Sequence, residues 1–499
     1  MKTSVPPEVS EICAKLAMAG FDAYLVGGCV RDILLSEAAG ERGEPIVPKD
    51  WDITTNARPE KLLEMFPDSV YENMFGTVGV KTDAEAALAR GEKPLGLIEI
   101  TTYRIEGKYS DQRHPDEIKF ADKLEDDLSR RDFTVNAMAM DLKGKIVDPY
   151  GGQRDLAASI IRTVRDAEER FSEDPLRLMR AVRFAVQLDF EIEPATRRAI
   201  QKLARELEVI AKERIRVELE KILMTPRATK GILMLEELGL LEFVLPELRE
   251  GLGVGQNKHH IYTVFEHNIR ALDYATCQNY SLEVRMASLL HDVGKPRAKK
   301  GDGPDSTFYQ HEHIGAKMVV RALDRLRFSR EFVEKVAHLV RRHMFFYDVG
   351  TVTPAGVRRF ILRVGPENID DLIKVREADR IGSGVEKAVS YRLRHFLFMI
   401  EKVKLDPLTP KMLKLNGDEI MAQLGLPQSL RVGWILHSLL EEVLDDPEKN
   451  TKEYLSQRAE ELNKLSDEEL IGIMKRAREK EKEAEAEAEA EMKKEFHVQ

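Results

Sequence analysis

A Gly-Gly step followed by two closely spaced aspartates constrains this chain more than any other feature. The glycines are Gly27 and Gly28, directly after the apolar run Ala23–Val26, and the aspartates are Asp50 and Asp52. Strand side chains alternate between two faces, so two carboxylates separated by one residue point the same way. Like charges held this close need a cation between them, and carboxylate oxygens favour Mg²⁺. The segment therefore predicts a β-strand that presents a magnesium site beside a glycine turn.

This arrangement suits phosphoryl transfer. Polymerases clamp Mg²⁺ on adjacent carboxylates to stabilise the attacking and leaving oxygens of an in-line displacement. Glycines let backbone amides approach a phosphate closely, and Arg31 follows where a helix is expected to begin. An Asp-x-Asp pair alone is also common in surface turns. Its place after a strand, a Gly-Gly step and a helix favours nucleotidyl transfer.

A second block, Arg130-Arg131-Asp132, combines two guanidinium groups with a carboxylate. Guanidinium groups bind phosphate oxygens in pairs, and a carboxylate accepts hydrogen bonds from sugar hydroxyls. The block therefore suits a nucleoside triphosphate, and the alternative is a surface cluster of salt bridges. Between the two blocks, Glu99–Arg104 alternates and predicts another strand of the same sheet, with Glu99 close to the metal ligands but outside their set.

A third block, Ser172–Arg180, predicts the start of a helix with Ser172 as its cap and Pro175 in its first turn. Asp174 and Arg177 are three residues apart, so on one helix they share a face and reach the same planar ligand. An ordinary ion pair along the helix is the alternative interpretation. An arginine has the fixed fork geometry that discriminates base edges, which a lysine lacks.

The second half of the chain places histidines and aspartates on several apolar helical segments. They are His267, His291, Asp292, His311, His343 and Asp379. An adjacent His-Asp pair at the end of an apolar helix is costly to bury without a partner, and a divalent transition metal supplies one. Imidazole and carboxylate ligands suit Mn²⁺, Ni²⁺, Co²⁺, Fe²⁺ or Zn²⁺, and a metal-bound water is a nucleophile for phosphoesters. Lys295 is placed to help hold a phosphate.

A chain of 499 residues is too long for one hydrophobic core, and its patterning changes along the sequence. Residues 1–155 mix strands with helices and form the expected catalytic domain. Residues 156–250 form a helical neck and body, 251–400 hold the histidines, 401–474 form a helical C-terminal segment, and 475–499 form a charged solvated tail. The glycine-rich stretch 251–255 follows no strand and precedes no Gly-Lys-Ser/Thr, so we interpret it as a hinge.

Charge and cysteine usage limit where the protein works. Cys13, Cys29 and Cys277 have no metal-binding spacing and cannot all pair, which predicts the reducing cytoplasm. No apolar run approaches the ~20 residues of a membrane span, and the N-terminus lacks an export signal, so no membrane partner is expected. A net charge of −10 restricts nucleic-acid binding to a local basic surface, with 162–183 and the helical stretch to Lys230 as candidates.

These blocks occur in the order of a known family. Gly-Gly, Arg-Asp, Asp-x-Asp, RRDFTVNA and EDPLR resemble class II tRNA nucleotidyltransferases and bacterial poly(A) polymerases from about Phe21 to Leu219. The later order H…HD…H…H…D resembles the HD phosphohydrolase superfamily. The resemblance implies an α+β fold, in which a small mixed-sheet, polymerase β-like head with helices precedes an all-helical neck and body and a helical HD domain.

The resemblance also implies roles for residues. Asp50 and Asp52 would be the catalytic Mg²⁺ ligands, and the six histidines and aspartates would hold the second metal. The implied nucleotide-binding residues are Gly27, Gly28, Arg31, Arg131, Asp132, Asp174, Arg177, Arg180 and Arg183. Among them, Arg131 and Asp132 would contact ribose and phosphates, while Asp174 and Arg177 would serve as an amino-acid template that reads the base of CTP or ATP.

The implied function is addition of CCA to the 3′ end of tRNA, together with phosphohydrolase activity on 2′,3′-cyclic or terminal phosphates. The polar stretch 109–115 matches a loop that CCA- and A-adding members keep and CC-adding members lack, which favours addition of the terminal A. The alternatives are an A-adding enzyme that works with a separate CC-adding one, a poly(A) polymerase, and chiefly an HD phosphohydrolase with an inactive head. A non-catalytic RNA-binding protein would need neither carboxylate cluster. The sequence leaves open the number of nucleotides added, the HD metal and the oligomeric state.

Overall fold

The computed structural model describes residues 5–40, 46–48, 50–71, 76–82, 95–106, 118–257, 261–301, 303–345, 347–349, 352–403 and 412–473. The predicted loop 109–115 and the charged tail 475–499 lie outside these residues. The chain divides into two compact units. The first comprises Met1–Arg249 and Ala322–Ser329, and the second comprises Glu250–Arg321 and Arg330–Gln499.

The first unit contains a mixed seven-stranded sheet. Its strands are β1 (Tyr24–Val26), β2 (Asp52–Thr55), β3 (Ser69–Tyr71), β4 (Thr77–Lys81), β5 (Leu97–Thr102), β8 (Ala139–Met140) and β9 (Ile146–Val147). Their order across the sheet is β3-β4-β5-β2-β1-β8-β9. Strands β2 and β5 are parallel, whereas the other neighbours are antiparallel. Two small sheets pair β6 (Arg104–Glu106) with β7 (Ile118–Phe120) and β10 (Ile160–Ile161) with β11 (Glu191–Ile192). The predicted strand around Glu99 is therefore confirmed as part of the main sheet.

Helices alternate with these strands along the chain, and after β11 the described residues of the first unit continue as helices without further strands. They are α1 (Pro7–Met18), α2 (Gly28–Ala39), α3 (Pro59–Met65), α4 (Leu124–Ser129), α5 (Gly152–Ala157), α6 (Ala167–Glu173), α7 (Leu176–Leu188), α8 (Pro194–Leu203), α9 (Lys212–Leu223), α10 (Ala228–Glu237), α11 (Leu241–Val244) and α12 (Pro246–Arg249). Two short 3₁₀ segments occupy Thr134–Asn136 and Ala204–Val209. The predicted mixed head and helical neck and body are confirmed.

The second unit is helical throughout its described part, apart from connecting turns and one isolated β-bridge. Its helices are α13 (Val264–Cys277), α14 (Leu282–Leu290), α15 (Lys295–Ala298), α16 (His311–Arg325, whose residues from Ala322 onward are counted with the first unit), α17 (Arg330–Arg342), α18 (Pro354–Val364), α19 (Ile369–Gly382), α20 (Tyr391–Val403), α21 (Gly417–Leu424), α22 (Leu430–Asp445) and α23 (Lys452–Asn463). Short 3₁₀ segments occupy Gly303–Asp305, Pro366–Asn368 and Pro447–Lys449. Within the described residues, no helix combines the length and the apolar character that crossing a lipid bilayer requires.

The core of the head lies directly behind the predicted carboxylate pair. Trp51 is 5% exposed, while Asp50 is exposed and Asp52 is partly exposed, so the chain alternates as an extended segment should. The regular strand begins only at Asp52, and Asp50 precedes it. Val26 and Tyr103 pack with Leu124 and Leu128 in one buried cluster. This packing anchors the strands that carry the site.

The predicted helix start at Ser172 is wrong. Ser172 lies inside α6, Asp174 caps the C-terminus of that helix, and α7 begins after Pro175. Proline lacks an N–H donor and disfavours helical geometry in the residue before it, so the chain breaks between Glu173 and Leu176. Asp174 and Arg177 therefore do not share one continuous helix.

Candidate nucleotide and metal sites

The glycine turn leaves a narrow space between an arginine and an aspartate. Gly27 has φ +82°, a conformation that favours glycine. A Cβ atom there would lie 3.0 Å from Nη1 of Arg131 and 3.7 Å from Oδ2 of Asp52. The N–H of Gly28 opens α2 and, as the first amide of a helix, has no acceptor within it. The turn thus brings together Gly27, Gly28, Asp52 and Arg131.

The carboxylates at this turn are arranged for a cation. Burial raises the pKa of Asp52, Arg131 opposes this, and the negative charge of Asp50 raises the pKa further. Glu99 is the register partner of Asp52 on the parallel strand β5, so both side chains project from the same face of the sheet. Asp50 and Asp52 repel each other, and a bound divalent cation would relieve that repulsion. The donor set, which is all carboxylate oxygen, fits Mg²⁺.

Asp132 is held inside the protein. Its Oδ1 accepts from the N–H of Phe133 at 2.8 Å and from Nδ2 of Asn136 at 3.2 Å. Its Oδ2 accepts from Nε and Nη2 of Arg180 at 2.8 and 2.5 Å. These four bonds use the acceptor positions that a carboxylate offers. In this structure Asp132 therefore positions Arg180, which the family resemblance implied as a nucleotide-binding residue.

The lowered pKa of Asp132 predicts that this residue contributes to the free energy of unfolding in a pH-dependent way. Burial by itself would raise the pKa of Asp132, but Arg180 and Asn136 outweigh it and lower the pKa from 3.8 to about 2. A carboxyl group whose pKa is lower in the folded than in the unfolded protein stabilises the fold at pH values above its unfolded pKa. This stabilisation is lost as the pH falls toward its folded pKa. Asp132→Asn should therefore lower the free energy of unfolding by about 2 kcal/mol near neutral pH. In urea unfolding the difference from the unmodified chain should shrink from about pH 5 toward pH 2, whereas a pH-independent difference would contradict it. The control is Asp122→Asn, whose side chain is 93% exposed.

Three predicted arginines converge on one aromatic ring. The guanidinium carbons of Arg31, Arg180 and Arg183 lie 5.4, 5.4 and 4.0 Å from the ring centre of Phe184. Such contacts stabilise a cation over the ring face. Arg31 also donates to Asn136 at 2.7 Å, which joins α2 to the second sequence block. Phe184 was not among the predicted site residues, although its place one residue after Arg183 would have indicated it.

Asp174 and Arg177, the predicted base-reading pair, each form hydrogen bonds with different residues. Arg214 donates to both oxygens of Asp174 at 3.1 and 2.8 Å. Arg177 donates to Glu173 at 2.6 Å and to the carbonyl of Arg130 at 3.2 Å. Arg214 belongs to α9, a helix from which no site residue was predicted. These fork contacts orient both side chains, but they do not pair Asp174 with Arg177.

The six predicted ligands of the second unit meet in its interior. His267, His291, Asp292 and Asp379 form one group, and Asp292, His311 and His343 form another, with the ligand atoms of each group within 4.8 Å of one another. All six side chains are buried. The Nε2 atoms of His267 and His291 are 2.8 Å apart, and those of His311 and His343 are 3.3 Å apart. Asp292 faces both groups, so one carboxylate serves the whole cluster.

Backbone contacts point three of these histidines inward. Nδ1 of His291, His311 and His343 lies 2.8, 2.8 and 2.7 Å from the carbonyl oxygen three residues earlier in the chain. A proton on Nδ1 leaves the Nε2 lone pair aimed at the centre, as in metal-bound histidines. Lone pairs that converge on a shared carboxylate fit a divalent metal.

Neighbouring cations balance the acidic ligands. Burial by itself would raise the pKa of Asp292, but the positive charge of Lys295 outweighs it and the pKa lies well below its ordinary value. Nζ of Lys295 lies 2.6 Å from Asp292 and 2.7 Å from Oε1 of Gln256. Arg376 lies 2.6 Å from Asp379. Gln256 and Arg376 were not among the predicted site residues. Arg376 lies one helical turn before Asp379, a spacing that the sequence already displays.

Three family models match separate, consecutive parts of the chain. The family model described as "Poly A polymerase head domain" matches residues 23–162. The one described as "Probable RNA and SrmB- binding site of polymerase A" matches 189–252, and "HD domain" matches 264–383. The first match contains the glycine turn and the carboxylates, and the third contains all six buried ligands.

Individual proteins resemble the chain over most of its length. The A-adding tRNA nucleotidyltransferase of Deinococcus radiodurans is 40% identical over 333 residues, or 64% of this chain and 75% of that protein. The CC-adding tRNA nucleotidyltransferase of Thermus thermophilus is 35% identical over 430 residues, covering 84% and 89%. The crystal structure of the Bacillus stearothermophilus CCA-adding enzyme in complex with CTP aligns with 92% of this chain and 98% of that chain, at 28% identity and a TM-score of 0.65. By fold, by site and by these relatives, the chain belongs to the class II tRNA nucleotidyltransferase and poly(A) polymerase family.

Proposed function

We propose that this protein adds C, C and A from CTP and ATP to the 3′ end of tRNA without a nucleic-acid template. The observation that carries the proposal is the placement of Asp52 and Arg131 beside the Gly27 turn. This geometry offers a metal carboxylate and a phosphate-binding guanidinium a few ångströms apart. The names of the A-adding, CC-adding and CCA-adding relatives support tRNA as the substrate.

In this proposal Asp50 and Asp52 hold Mg²⁺, which when bound supplies a Lewis acid for the 3′-hydroxyl and the triphosphate. The N-terminus of α2 at Gly28 and the guanidinium of Arg131 bind the phosphates. Arg31 completes the cationic side of the site from the same helix. The 3′-oxygen of the tRNA attacks the α-phosphorus, its proton passes to solvent, and pyrophosphate leaves.

The choice of base would depend on Asp174 and Arg177 at the junction of α6 and α7. Arg214 and Glu173 orient these side chains, so their hydrogen-bonding edges have fixed directions. Fixed donors and acceptors discriminate base edges because a wrong base leaves a buried polar group unpaired.

Arg177→Ala should blur the choice between CTP and ATP. Removing the Arg177 guanidinium should reduce the ratio of the kcat/KM values for the correct and the wrong nucleotide by roughly tenfold to a hundredfold. A hydrogen bond to a charged group is worth about 1.5–3 kcal/mol. Competition between labelled CTP and ATP on tRNA ending in CC measures it. The control is Arg205→Ala, because Arg205 is exposed and pairs with Glu208 one turn away. Retained fidelity in Arg177→Ala would contradict the template role.

The number of nucleotides added is tested on tRNA lacking one, two or three terminal residues. A CCA-adding enzyme completes all three substrates, whereas an A-adding enzyme fails on the two shorter ones. A poly(A) polymerase ignores CTP and extends RNA with many A residues. The relatives carry A-, CC- and CCA-adding names, so this assay decides among them.

We further propose that the second unit binds divalent transition metal at the cluster around Asp292 and hydrolyses phosphoesters, with 2′,3′-cyclic phosphates and terminal phosphates as candidate substrates. The residues present would hold Mn²⁺, Ni²⁺, Co²⁺, Fe²⁺ or Zn²⁺ through imidazole nitrogens and carboxylates. Lys295, held by Gln256, is placed to bind a phosphate oxygen. The three free thiols fit the cytoplasm as the compartment of both activities.

A further inference from the structure

Asp127, a residue that none of the sequence blocks singled out, is fully buried between the sheet and the arginines of the nucleotide site. It lies in α4, immediately before Arg130 and Arg131, and its side chain is 0% exposed. Burying a carboxylate costs several kcal/mol unless partners compensate it. The contacts of Asp127 with neighbouring residues therefore indicate why its carboxylate is buried.

One oxygen of Asp127 binds Arg130 and the other faces Arg131 and strand β2. Oδ1 accepts from Nε of Arg130 at 2.9 Å and lies 2.8 Å from its Nη2. Oδ2 lies 3.3 Å from the hydroxyl of Thr54 and 3.6 Å from Nη2 of Arg131. Thr54 is two residues after Asp52 and so projects from the same face of β2. One carboxylate thus connects both arginines to the strand that carries the metal ligand.

Arg131 stands between two carboxylates. Its Nη1 and Oδ2 of Asp52 lie 3.0 and 3.7 Å from the position of a Cβ on Gly27, while its Nη2 faces Asp127. Nε of Arg131 has no hydrogen-bond partner among the described residues. Without the charge of Asp127, attraction would draw Arg131 onto Asp52, and the two oxygens meant for the cation would pair with the guanidinium instead.

We propose that Asp127 is a positioning residue, which holds Arg131 at the rim of the glycine turn, available to the nucleotide triphosphate and withheld from Asp52. This inference rests on the proposed nucleotidyl transfer and adds a residue to it. The negative charge of Asp127 also offsets the repulsion between Arg130 and Arg131 when no nucleotide is bound. Burial would raise the pKa of Asp127, but both arginines outweigh it and lower the pKa, so the carboxylate is ionised when it does this.

The experiment compares Asp127→Asn with Asp126→Asn, which removes the same charge from the same helix at a partly exposed position. Asp127→Asn should weaken calorimetric binding of Mg·CTP at least tenfold, roughly the loss of one charge-assisted hydrogen bond. The nucleotide KM and the Mg²⁺ concentration for half-maximal addition should rise with it, while the CTP-to-ATP preference stays unchanged. Asp126→Asn should bind Mg·CTP like the unmodified chain.

A double-mutant cycle separates positioning from general damage to the fold. In an Arg131→Ala background, Asp127→Asn should change Mg·CTP binding by less than about threefold, because the two residues act as one unit. Thr54→Val provides a milder variant that keeps the charge of Asp127 and should weaken binding in the same direction. Additive effects in the cycle, an unchanged Thr54→Val, or an equal loss in Asp126→Asn would each overturn the inference. If the unmodified chain adds no nucleotide to tRNA, the proposed function fails, whereas unchanged binding by Asp127→Asn in an active chain defeats only the role of Asp127.

Discussion

Replacing Asp50 or Asp52 by asparagine should abolish nucleotide addition while CTP and ATP still bind. The amide keeps the shape of the side chain but removes the charge that would hold Mg²⁺. Because a cation held by these carboxylates would stabilise the transition state by several kcal/mol, the rate should fall at least about a thousandfold. Single-turnover addition to tRNA measures the rate, and calorimetry measures nucleotide binding.

A matched control keeps this test specific. Asp68→Asn removes a carboxylate at an exposed position of the same unit and should leave addition unchanged. Asp52 is the more buried of the pair, so its variant should also be compared by thermal melting. Near-normal addition by either Asp50→Asn or Asp52→Asn would remove the proposed catalytic site.

Asp292→Asn should remove the bound metal and phosphoester hydrolysis while nucleotide addition remains. Asp292 faces both ligand groups, so its loss affects the whole cluster, whereas His343→Ala removes a ligand from one group. Because a metal held by this cluster would lower the pKa of a coordinated water and so supply the nucleophile, hydrolysis should fall at least about a hundredfold without Asp292. Metal analysis by mass spectrometry and hydrolysis of a 2′,3′-cyclic nucleotide measure the two effects.

The neighbouring histidines of α16 provide the control. His311 lies 3.1 Å from Asp292, whereas His313 lies 3.2 Å from Glu312 and has a side chain 42% exposed. His311→Ala should reduce bound metal and hydrolysis, and His313→Ala should reduce neither. Equal loss in both variants, or full metal content in Asp292→Asn, would contradict the proposed centre. Hydrolysis that persists in Asp50→Asn would establish that the two centres work independently.

Local rules were enough for the residues whose role depends on spacing. The period of two along an extended segment predicted that Asp50 and Asp52 point the same way, and the burial of Trp51 between them agrees with that alternation. The same rule is indifferent to where a strand begins, so it included Asp50 in β2. At Ser172 two local signals competed, a capping side chain and a following proline. The proline decided the outcome because its ring and missing N–H end one helix and start another.

By itself the sequence therefore determined the residue types of both sites, the extended geometry of the Asp-x-Asp segment, and the α+β order of the chain. Only the tertiary structure decided which groups meet. Asp132 faces Arg180 and Asp174 faces Arg214, pairs separated by 48 and 40 residues, and one carboxylate, Asp292, is shared by two ligand groups. Buried charges take whichever partner the packing of helices and strands brings within a few ångströms, and that distance is set by the whole core rather than by neighbours in the chain.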